Sequence, residues 1–97
     1  MHVIARKSLR EFWARHPDSE QALQSWFHEV ENAEWKDSSA IRRHYRSASI
    51  ISAERVVFNI YGNKYRLVVR INYASQTVFI RFIGTHKEYD RIEVDTI

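Results

Sequence analysis

Three consecutive runs of alternating apolar and polar residues, between positions 55 and 84, constrain the fold of this chain most strongly. They read RVVFNIY, KYRLVVRINY and QTVFIRFIG, and they are separated by Gly62-Asn63 and by Ala74-Ser75. Alternation with a period of two is typical of half-buried β-strands, and Gly-Asn favours a tight hairpin turn. The sequence therefore predicts a small sheet of three antiparallel strands that follow one another along the chain.

Two-residue loops at both turns determine which residues face each other across the strands. On one side of the sheet this register predicts only apolar pairs: Ile60–Tyr65, Phe58–Leu67, Val56–Val69, Ile71–Val78, Val69–Ile80 and Leu67–Phe82. An apolar face of this size has to be covered by other elements of the same domain.

The opposite side, called the basic face below, follows from the same register. Its predicted neighbours are Tyr61–Lys64, Asn59–Arg66, Arg55–Arg70, Arg66–Ile83, Arg70–Phe79 and Val68–Arg81. Like charges placed opposite each other destabilise a sheet, and residues 55–87 contain no acid. The pattern therefore favours a surface that binds an anion over a merely solvated face.

Two amphipathic helices precede the strands and are predicted to form the cover. The first, within KSLREFWARHP, has Ser8 and Glu11 at the spacing of a capping box and is ended by Pro17. Asp18 and Gln21 are predicted to cap the second helix. Its apolar residues at helical spacing are Leu23, Trp26, Phe27 and Val30. The segment HVIA (2–5) is interpreted as a short first strand.

A weaker helical pattern lies between these helices and the strands. SSAIRRHYRS is expected to form one or two helical turns capped by Ser38 or Ser39. Arg42, Arg43 and Arg46 then lie close together, and alone they favour a solvated surface.

Charge is distributed unevenly along the 97 residues, which are expected to form a single domain, 1–97. Residues 38–87 contain nine Lys/Arg and one acid, a net charge of +8, whereas the whole chain carries +3. Such a block indicates a nucleic acid or an acidic protein as partner. Disulfides and thiolate metal sites are excluded because there is no cysteine. No apolar run has the length of a signal core or membrane span, so no membrane association and a cytoplasmic location are expected.

The last strand runs into GTHKEYD, where protonatable side chains are dense. Thr85 and Glu88 have capping-box spacing, so a short C-terminal helix is predicted, with His86 in its first turn. Tyr89 would share the face of His86, with Asp90 one turn away. A base, cationic side chains and an acid at the rim of a basic face suit RNA cleavage without a metal or other cofactor. A purely structural capping turn remains equally compatible, and a metal site at His86 and Asp90 lacks a third ligand.

The helical hairpin, the segments FNIYGNKYRLVV and IRFIGTHKEYD, and the short C-terminal helix resemble the HigB toxins of bacterial type II toxin–antitoxin systems. These toxins belong to the RelE-like mRNA interferases, and the resemblance covers nearly the whole chain. It implies an α+β, RelE-like fold: an N-terminal helical hairpin on one face of a small antiparallel sheet, with a short C-terminal helix. It also implies a toxin that cleaves mRNA, generally during translation.

The resemblance implies a cognate partner as well, a HigA-type antitoxin with a helix-turn-helix, through which alone the toxin would act on operator DNA. The residues that match the family pattern are Asn59, Gly62, Asn63, Arg66, Arg81, Thr85, His86, Tyr89 and Asp90.

Roles follow from the resemblance and the predicted register together. Arg66 and Arg81 would stabilise charge on the phosphate, and His86 and Tyr89 would transfer protons, with the assignment of base and acid open. The expected RNA-binding residues are Arg55, Asn59, Lys64, Arg70 and Lys87. The expected product is a 2′,3′-cyclic phosphate. The competing hypothesis is a non-catalytic module that uses the same face to bind nucleic acid or an acidic protein.

Overall fold

The computed structural model of the chain describes residues 1–97. Its elements are β1 (His2–Ile4), α1 (Arg6–Arg15), a 3₁₀ turn (Pro17–Ser19), α2 (Glu20–Glu31), α3 (Ser38–His44), β2 (Ser49–Ile50), β3 (Arg55–Ile60), β4 (Tyr65–Asn72), β5 (Thr77–Thr85) and α4 (His86–Tyr89). The strands form one sheet in the order β1-β5-β4-β3-β2. The α+β class and the short first strand are confirmed.

The sheet is larger than the predicted three-stranded antiparallel one, and it is mixed. β1 lies parallel to β5, and β2 adds an antiparallel strand at the other edge. β1 pairs only with residues 77–79, because it is three residues long. The second half of β5 is therefore an unpaired edge of the sheet.

The predicted register of the first hairpin is confirmed. Its observed pairs include Ile60–Tyr65, Phe58–Leu67, Val56–Val69, Asn59–Arg66 and Arg55–Arg70. Tyr61 and Gly62 adopt φ values of 56° and 65°, and Lys64 N donates to Tyr61 O at 3.2 Å. The tight turn thus places the two strands in the register that alternation predicts.

The second hairpin follows the prediction only as far as Ile80. The pairs Ile71–Val78, Arg70–Phe79 and Val69–Ile80 are observed, but a β-bulge between Val68 and Val69 shifts everything beyond. The observed pairs are then Val68–Phe82, Leu67–Ile83 and Arg66–Gly84, so the predictions Val68–Arg81, Leu67–Phe82 and Arg66–Ile83 are wrong. A bulge inserts one unpaired residue into a strand, here Arg81, and such insertions are frequent at sheet edges.

Helix ends differ from the predicted capping pattern in several places. α1 begins at Arg6 with Ala5 as N-cap and no side-chain cap, so the predicted box at Ser8 and Glu11 is wrong. α1 ends at Arg15, next to the 3₁₀ turn that Pro17 begins, as predicted. α2 likewise has no side-chain cap. α3 is capped by Asp37, whose carboxylate accepts from Ala40 N at 3.0 Å, rather than by Ser38 or Ser39.

The helices cover the predicted apolar face. Leu9 and Phe12 of α1 and Leu23, Trp26 and Val30 of α2 are buried in one cluster with the inward residues of the strands. Trp26 is buried and contacts Phe58 edge to face at 5.4 Å between ring centroids. No helix in the structure is long and apolar enough to cross a bilayer.

Candidate functional site

One corner of the basic face brings together residues from three strands and α4. Asn59 on β3 pairs with Arg66 on β4, and Arg66 pairs with Gly84 on β5. His86 follows Gly84 by two residues and begins α4. The set Asn59, Arg66, Gly84, His86 and Tyr89 is called the site corner below. Adjacent strands lie about 4.8 Å apart, so the corner spans roughly 10 Å of sheet.

The start of α4 is held by the predicted capping box, which is confirmed. Thr85 N donates to Glu88 Oε1 at 2.8 Å, and Glu88 N donates to Thr85 Oγ1 at 3.1 Å. The backbone hydrogen bond from Thr85 holds the pKa of the Glu88 carboxyl below its ordinary value. The helix start therefore has a defined geometry, which positions the side chain of His86.

His86 has an exposed side chain and one carboxylate neighbour. Its Nδ1 lies 3.3 Å from Asp90 Oδ2, one helical turn along. A carboxylate at Nδ1 favours the tautomer with the proton on that nitrogen. Nε2 then keeps a lone pair that is accessible to solvent, which is the arrangement a general base requires.

Arg66 has no acidic partner at the site corner. Its Nη1 donates to the backbone oxygens of Asn63 at 2.9 Å and Tyr65 at 3.4 Å, which hold the guanidinium against the β3–β4 turn. The ion pairs of the chain involve Lys64, Arg70 and His86. The charge of half-buried Arg66 is thus uncompensated, as is that of exposed Lys87 on α4.

Gly84 makes room for two side chains of the corner. A Cβ at this position would lie 2.6 Å from Phe82 Cζ and 2.9 Å from Glu88 Oε1. Gly84 lies within β5 and needs no positive φ, so it does not form a tight strand-to-helix turn. What it provides is space for the Phe82 ring and for the capping carboxylate.

Arg81 is not part of this corner. The bulge leaves it without a cross-strand partner, and it lines a shallow depression with Ser8, Glu11 and Arg15 of α1. α1 covers the apolar side of the sheet, so Arg81 lies at the β5 edge beside that helix. The structure therefore does not bring Arg81 together with Arg66.

The other half of the basic face, around Arg55 and Arg70, is already occupied. Arg70 Nε lies 3.1 Å from Glu54 Oε2, and Arg55 Nη1 donates to the backbone oxygen of Ile97. Val57 and Val68 point to this side and are buried, although they do not belong to the core cluster. Half-buried apolar residues of the C-terminal segment (residues 90–97) are Ile92, Val94 and Ile97. This segment therefore lies over the part of the face next to Arg55, while the side chain of Arg70 remains exposed.

Lys64 turns away from the basic face. Its ammonium pairs with the Asp18 carboxylate, which also accepts from Tyr65 Oη at 2.6 Å. The Lys64 hydrogen bond, followed by that of Tyr65, holds the pKa of Asp18 below its ordinary value, and Asp18 in turn raises the pKa of Lys64. The Lys64 backbone oxygen accepts from His86 N at 3.3 Å. Lys64 thus links the helical hairpin to the start of α4.

Two of these partners were missed by sequence reasoning. The local pattern predicts a helix cap at Asp18, and nothing local indicates that Asp18 contacts Tyr65, 47 residues away. Glu54 could have been found, because extending the β3–β4 register by one residue places it opposite Ile71, next to Arg70. Ile71 N indeed donates to Glu54 O at 2.7 Å.

The site corner supplies the groups that phosphodiester cleavage by a neighbouring hydroxyl requires. One group must remove a proton from the attacking hydroxyl, a cation must stabilise the charge on phosphorus-bound oxygens, and one group must protonate the leaving oxygen. His86, Arg66 and Tyr89 have these capacities. No three His, Asp or Glu side chains are close enough together to hold a metal ion.

Comparison with known proteins places the chain among toxins. The family profile described as HigB toxin, RelE-like toxic component of a toxin-antitoxin system, matches residues 19–92. The chain is 28% identical over 92 residues to the mRNA interferase toxin HigB of Escherichia coli K12, which covers 93% of this chain and 88% of that protein. It is 22% identical over 94 residues to the mRNA interferase HigB of Escherichia coli O6:H1, covering 95% and 91%.

Proposed function

Since the chain belongs to the HigB family, the RelE-like toxic components of toxin–antitoxin systems, we propose that it arrests translation by cleaving mRNA at the site corner. Relatives over nearly the full length of the chain are named mRNA interferases. The observation that carries the proposal is the register that places Asn59, Arg66 and Gly84 side by side and His86 at the strand end. An uncompensated arginine beside an accessible imidazole is the pair that this chemistry needs.

The reaction proceeds by attack of the 2′-hydroxyl on the adjacent phosphorus. His86 or Tyr89 accepts the 2′-proton and the other donates a proton to the departing 5′-oxygen. The new O2′–P bond and the broken P–O5′ bond leave a 2′,3′-cyclic phosphate and a 5′-hydroxyl. Arg66 stabilises the oxyanions that carry the developing charge, and Asn59 and Lys87 bind the flanking RNA.

Membership of the family supports a biological setting for the proposed reaction. In this proposal the toxin acts in the cytoplasm on ribosome-bound message, and a helix-turn-helix antitoxin of the HigA type holds it inactive. Contact with operator DNA would then come only through the antitoxin. Growth arrest after induction without the antitoxin gene is the expected cellular result, whereas a non-catalytic binding module would leave growth unchanged.

The test is cleavage of a message by purified protein, with and without ribosomes, followed by analysis of the product ends. We expect a 2′,3′-cyclic phosphate, and no cleavage of an RNA that carries 2′-O-methyl groups. Arg66→Ala should remove cleavage, and Arg10→Ala, a matched change of an exposed arginine on α1, should not. RNA binding without any cleavage under either condition would instead support the binding module.

A further inference from the structure

The C-terminal end of α3 carries a cluster of exposed cations that the proposed cleavage site does not use. Arg42, Arg43 and Arg46 are exposed and together line one surface depression. They are called the arginine patch below. None of them forms an ion pair.

Two acids near the patch, Asp37 in sequence and Glu29 through its contact with Tyr45, are engaged elsewhere. Asp37 caps the opposite end of α3 through Ala40 N, and Glu29 accepts a hydrogen bond from Tyr45 Oη. Arg46 lies beyond the end of α3 at His44 but lines the same depression as Arg42 and Arg43, so three like charges lie close together. The favourable interaction of cations with a helix C-terminus is weak at an exposed site, and it does not require three arginines. The three positive charges of the patch therefore have no intramolecular partner, which is typical of a surface that binds an anion.

The patch is connected directly to the site corner. Arg46 precedes Ser47, whose backbone oxygen accepts from Asn59 Nδ2 at 3.2 Å. Ser49 of β2 pairs with Val57, and continuing this antiparallel register places Ser47 beside Asn59. The sequence of neighbours across the sheet is thus Ser47, Asn59, Arg66 and Gly84. The arginine patch lies at the end of this row, on the edge of the sheet opposite α4.

This row distinguishes the patch from the other cations of the chain. Arg55 and Arg70 lie at the far end of β3 and β4 and have intramolecular partners, and Lys64 is paired with Asp18. Among the cations without an ion pair, Arg66 and the patch are the ones associated with this row, and Lys87 follows it on α4. A strand bound at the site corner and directed past Asn59 would reach the patch within a few nucleotides.

We propose that the arginine patch binds the phosphate backbone of the same RNA strand, several nucleotides from the cleaved bond. The inference rests on the proposed function and extends it, because it names a second contact region on the substrate. Guanidinium groups match the geometry of phosphate oxygens, and contacts to the backbone carry no base preference. The patch would therefore contribute affinity for long messages without contributing to the choice of cleavage site.

The test compares two 2′-O-methylated RNAs, one of about 5 and one of about 15 nucleotides, which span the usual range of single-strand binding sites. The variant carries Arg42→Gln, Arg43→Gln and Arg46→Gln. The control carries Lys7→Gln, Arg10→Gln and Lys36→Gln, three exposed cations elsewhere on the surface. Both lose the same charge, and thermal midpoints establish that both remain folded.

The patch variant should lose about tenfold or more in affinity for the long RNA, and the slope of log K against log salt should fall by about 2, since single strands contribute about 0.7 per phosphate. Its affinity for the short RNA should match that of the control. Equal affinities of variant and control for the long RNA would overturn the proposal. So would unchanged RNA binding with weakened binding of the antitoxin, because the patch would then be a protein-docking surface.

The same variants separate this inference from the proposed function. Cleavage of a short unmodified RNA should be the same in the patch variant and the wild type, and should be lost in Arg66→Ala. If the wild type cleaves no RNA, the proposed function fails, while binding of the modified RNAs still decides whether the patch contacts a strand. If cleavage is normal and the patch variant binds like the control, only the further inference fails.

Discussion

At the scale of single residues, two arginines that sequence reasoning treats alike have different surroundings. Arg66 is half-buried on the basic face and held by the carbonyl oxygens of the β3–β4 turn. Arg81 is the extra residue of a bulge, exposed beside α1. Because only Arg66 lies beside the start of α4, the two should contribute unequally to catalysis.

We predict that Arg66→Ala lowers the cleavage rate by roughly 10²–10³, the range for removing one group that stabilises developing charge. Arg81→Ala should lower it by less than about tenfold, because Arg81 is three residues along β5 from Gly84, the partner of Arg66. Single-turnover cleavage at matched protein concentration measures both. Equal losses in the two variants would mean that the substrate reaches the β5 edge.

Substitution of His86 can distinguish a catalytic role of this residue from a structural one. Thr85 and Glu88 cap α4 without it, so His86→Gln should change the free energy of unfolding by less than about 1 kcal/mol. Cleavage should fall by roughly 10²–10⁴, the effect of losing a positioned proton-transfer group. The pH profile should lose its acid limb if His86 is the base, or its alkaline limb if it is the acid. If His86→Gln cleaved RNA at a rate near that of the wild type, His86 would have only a structural role at the start of α4.

At the scale of elements, the turn between α1 and α2 is tied to the start of β4. Tyr65 is buried among core residues, and its hydroxyl donates a hydrogen bond to the Asp18 carboxylate, which also pairs with Lys64. Lys64 in turn holds His86 N through its backbone oxygen. Weakening the hydrogen bonds that Asp18 accepts from Tyr65 and Lys64 should therefore affect both the stability of the fold and the position of α4.

Asp18→Asn should change the pH dependence of stability. The pKa of folded Asp18 is lowered by hydrogen bonds from Lys64 and Tyr65, so its ionised form stabilises the native state. This contribution is fully present above the unfolded pKa of about 4 and is lost as pH falls through the lower folded pKa. Urea midpoints should thus be lower in the variant at pH 7 and converge with the wild type in acid. A constant difference down to the lowest pH would contradict the role assigned to the carboxylate.

The packing of α2 against the sheet can be tested through its aromatic residues. Trp26 of α2 is 2% exposed, so Trp26→Ala should lower the free energy of unfolding by about 3–5 kcal/mol. Phe27→Ala should lower the free energy of unfolding by less, because Phe27 is only partly buried. The Arg6 Cζ lies 4.5 Å from the centroid of its ring. Trp26→Phe is the matched control, since the indole Nε1 has no hydrogen-bond partner to lose. An unchanged denaturant midpoint in Trp26→Ala would mean that α2 does not cover the sheet.

At the scale of the whole molecule, the C-terminal segment divides the basic face in two. It contacts Arg55, and Arg70 is paired with Glu54, whereas Arg66 at the other end of the face has no acidic partner. The net positive charge of the strands is therefore not equally available to a ligand. Salt dependence of RNA binding should reveal which half takes part.

We predict that Arg66→Gln reduces the slope of log K against log salt by about 0.7, the contribution of one phosphate contact in a single strand. Arg70→Gln should leave the slope nearly unchanged, because Glu54 already offsets the charge of Arg70. Titration of a 2′-O-methylated RNA at several salt concentrations measures both slopes. Equal reductions would show that RNA displaces the C-terminal segment and uses the whole face.

The sequence by itself determined those features that depend on local geometry. Alternation with period two and a Gly-Asn turn determine the register of β3 and β4, and with it the neighbours Asn59 and Arg66. The capping box of Thr85 and Glu88 is similarly local, since both hydrogen bonds span three residues. These two local features place Asn59 beside Arg66 and define the start of α4, whereas the pairing of Arg66 with Gly84 depends on the bulge.

Only the tertiary structure decided what lies around that corner. Alternation continues through a strand whether or not a bulge is present, so nothing in the sequence separated Arg81 from the basic face. The bulge lies just beyond the part of β5 that pairs with β1. The extent of that pairing depends on the length of β1, which is far from β5 in sequence. Asp18 and Glu54 pair with cations 46 and 16 residues away, and the backbone oxygen of Ile97 accepts from Arg55, 42 residues away. Charge pairing at such separations carries no local periodicity, because it follows from the packing of whole elements.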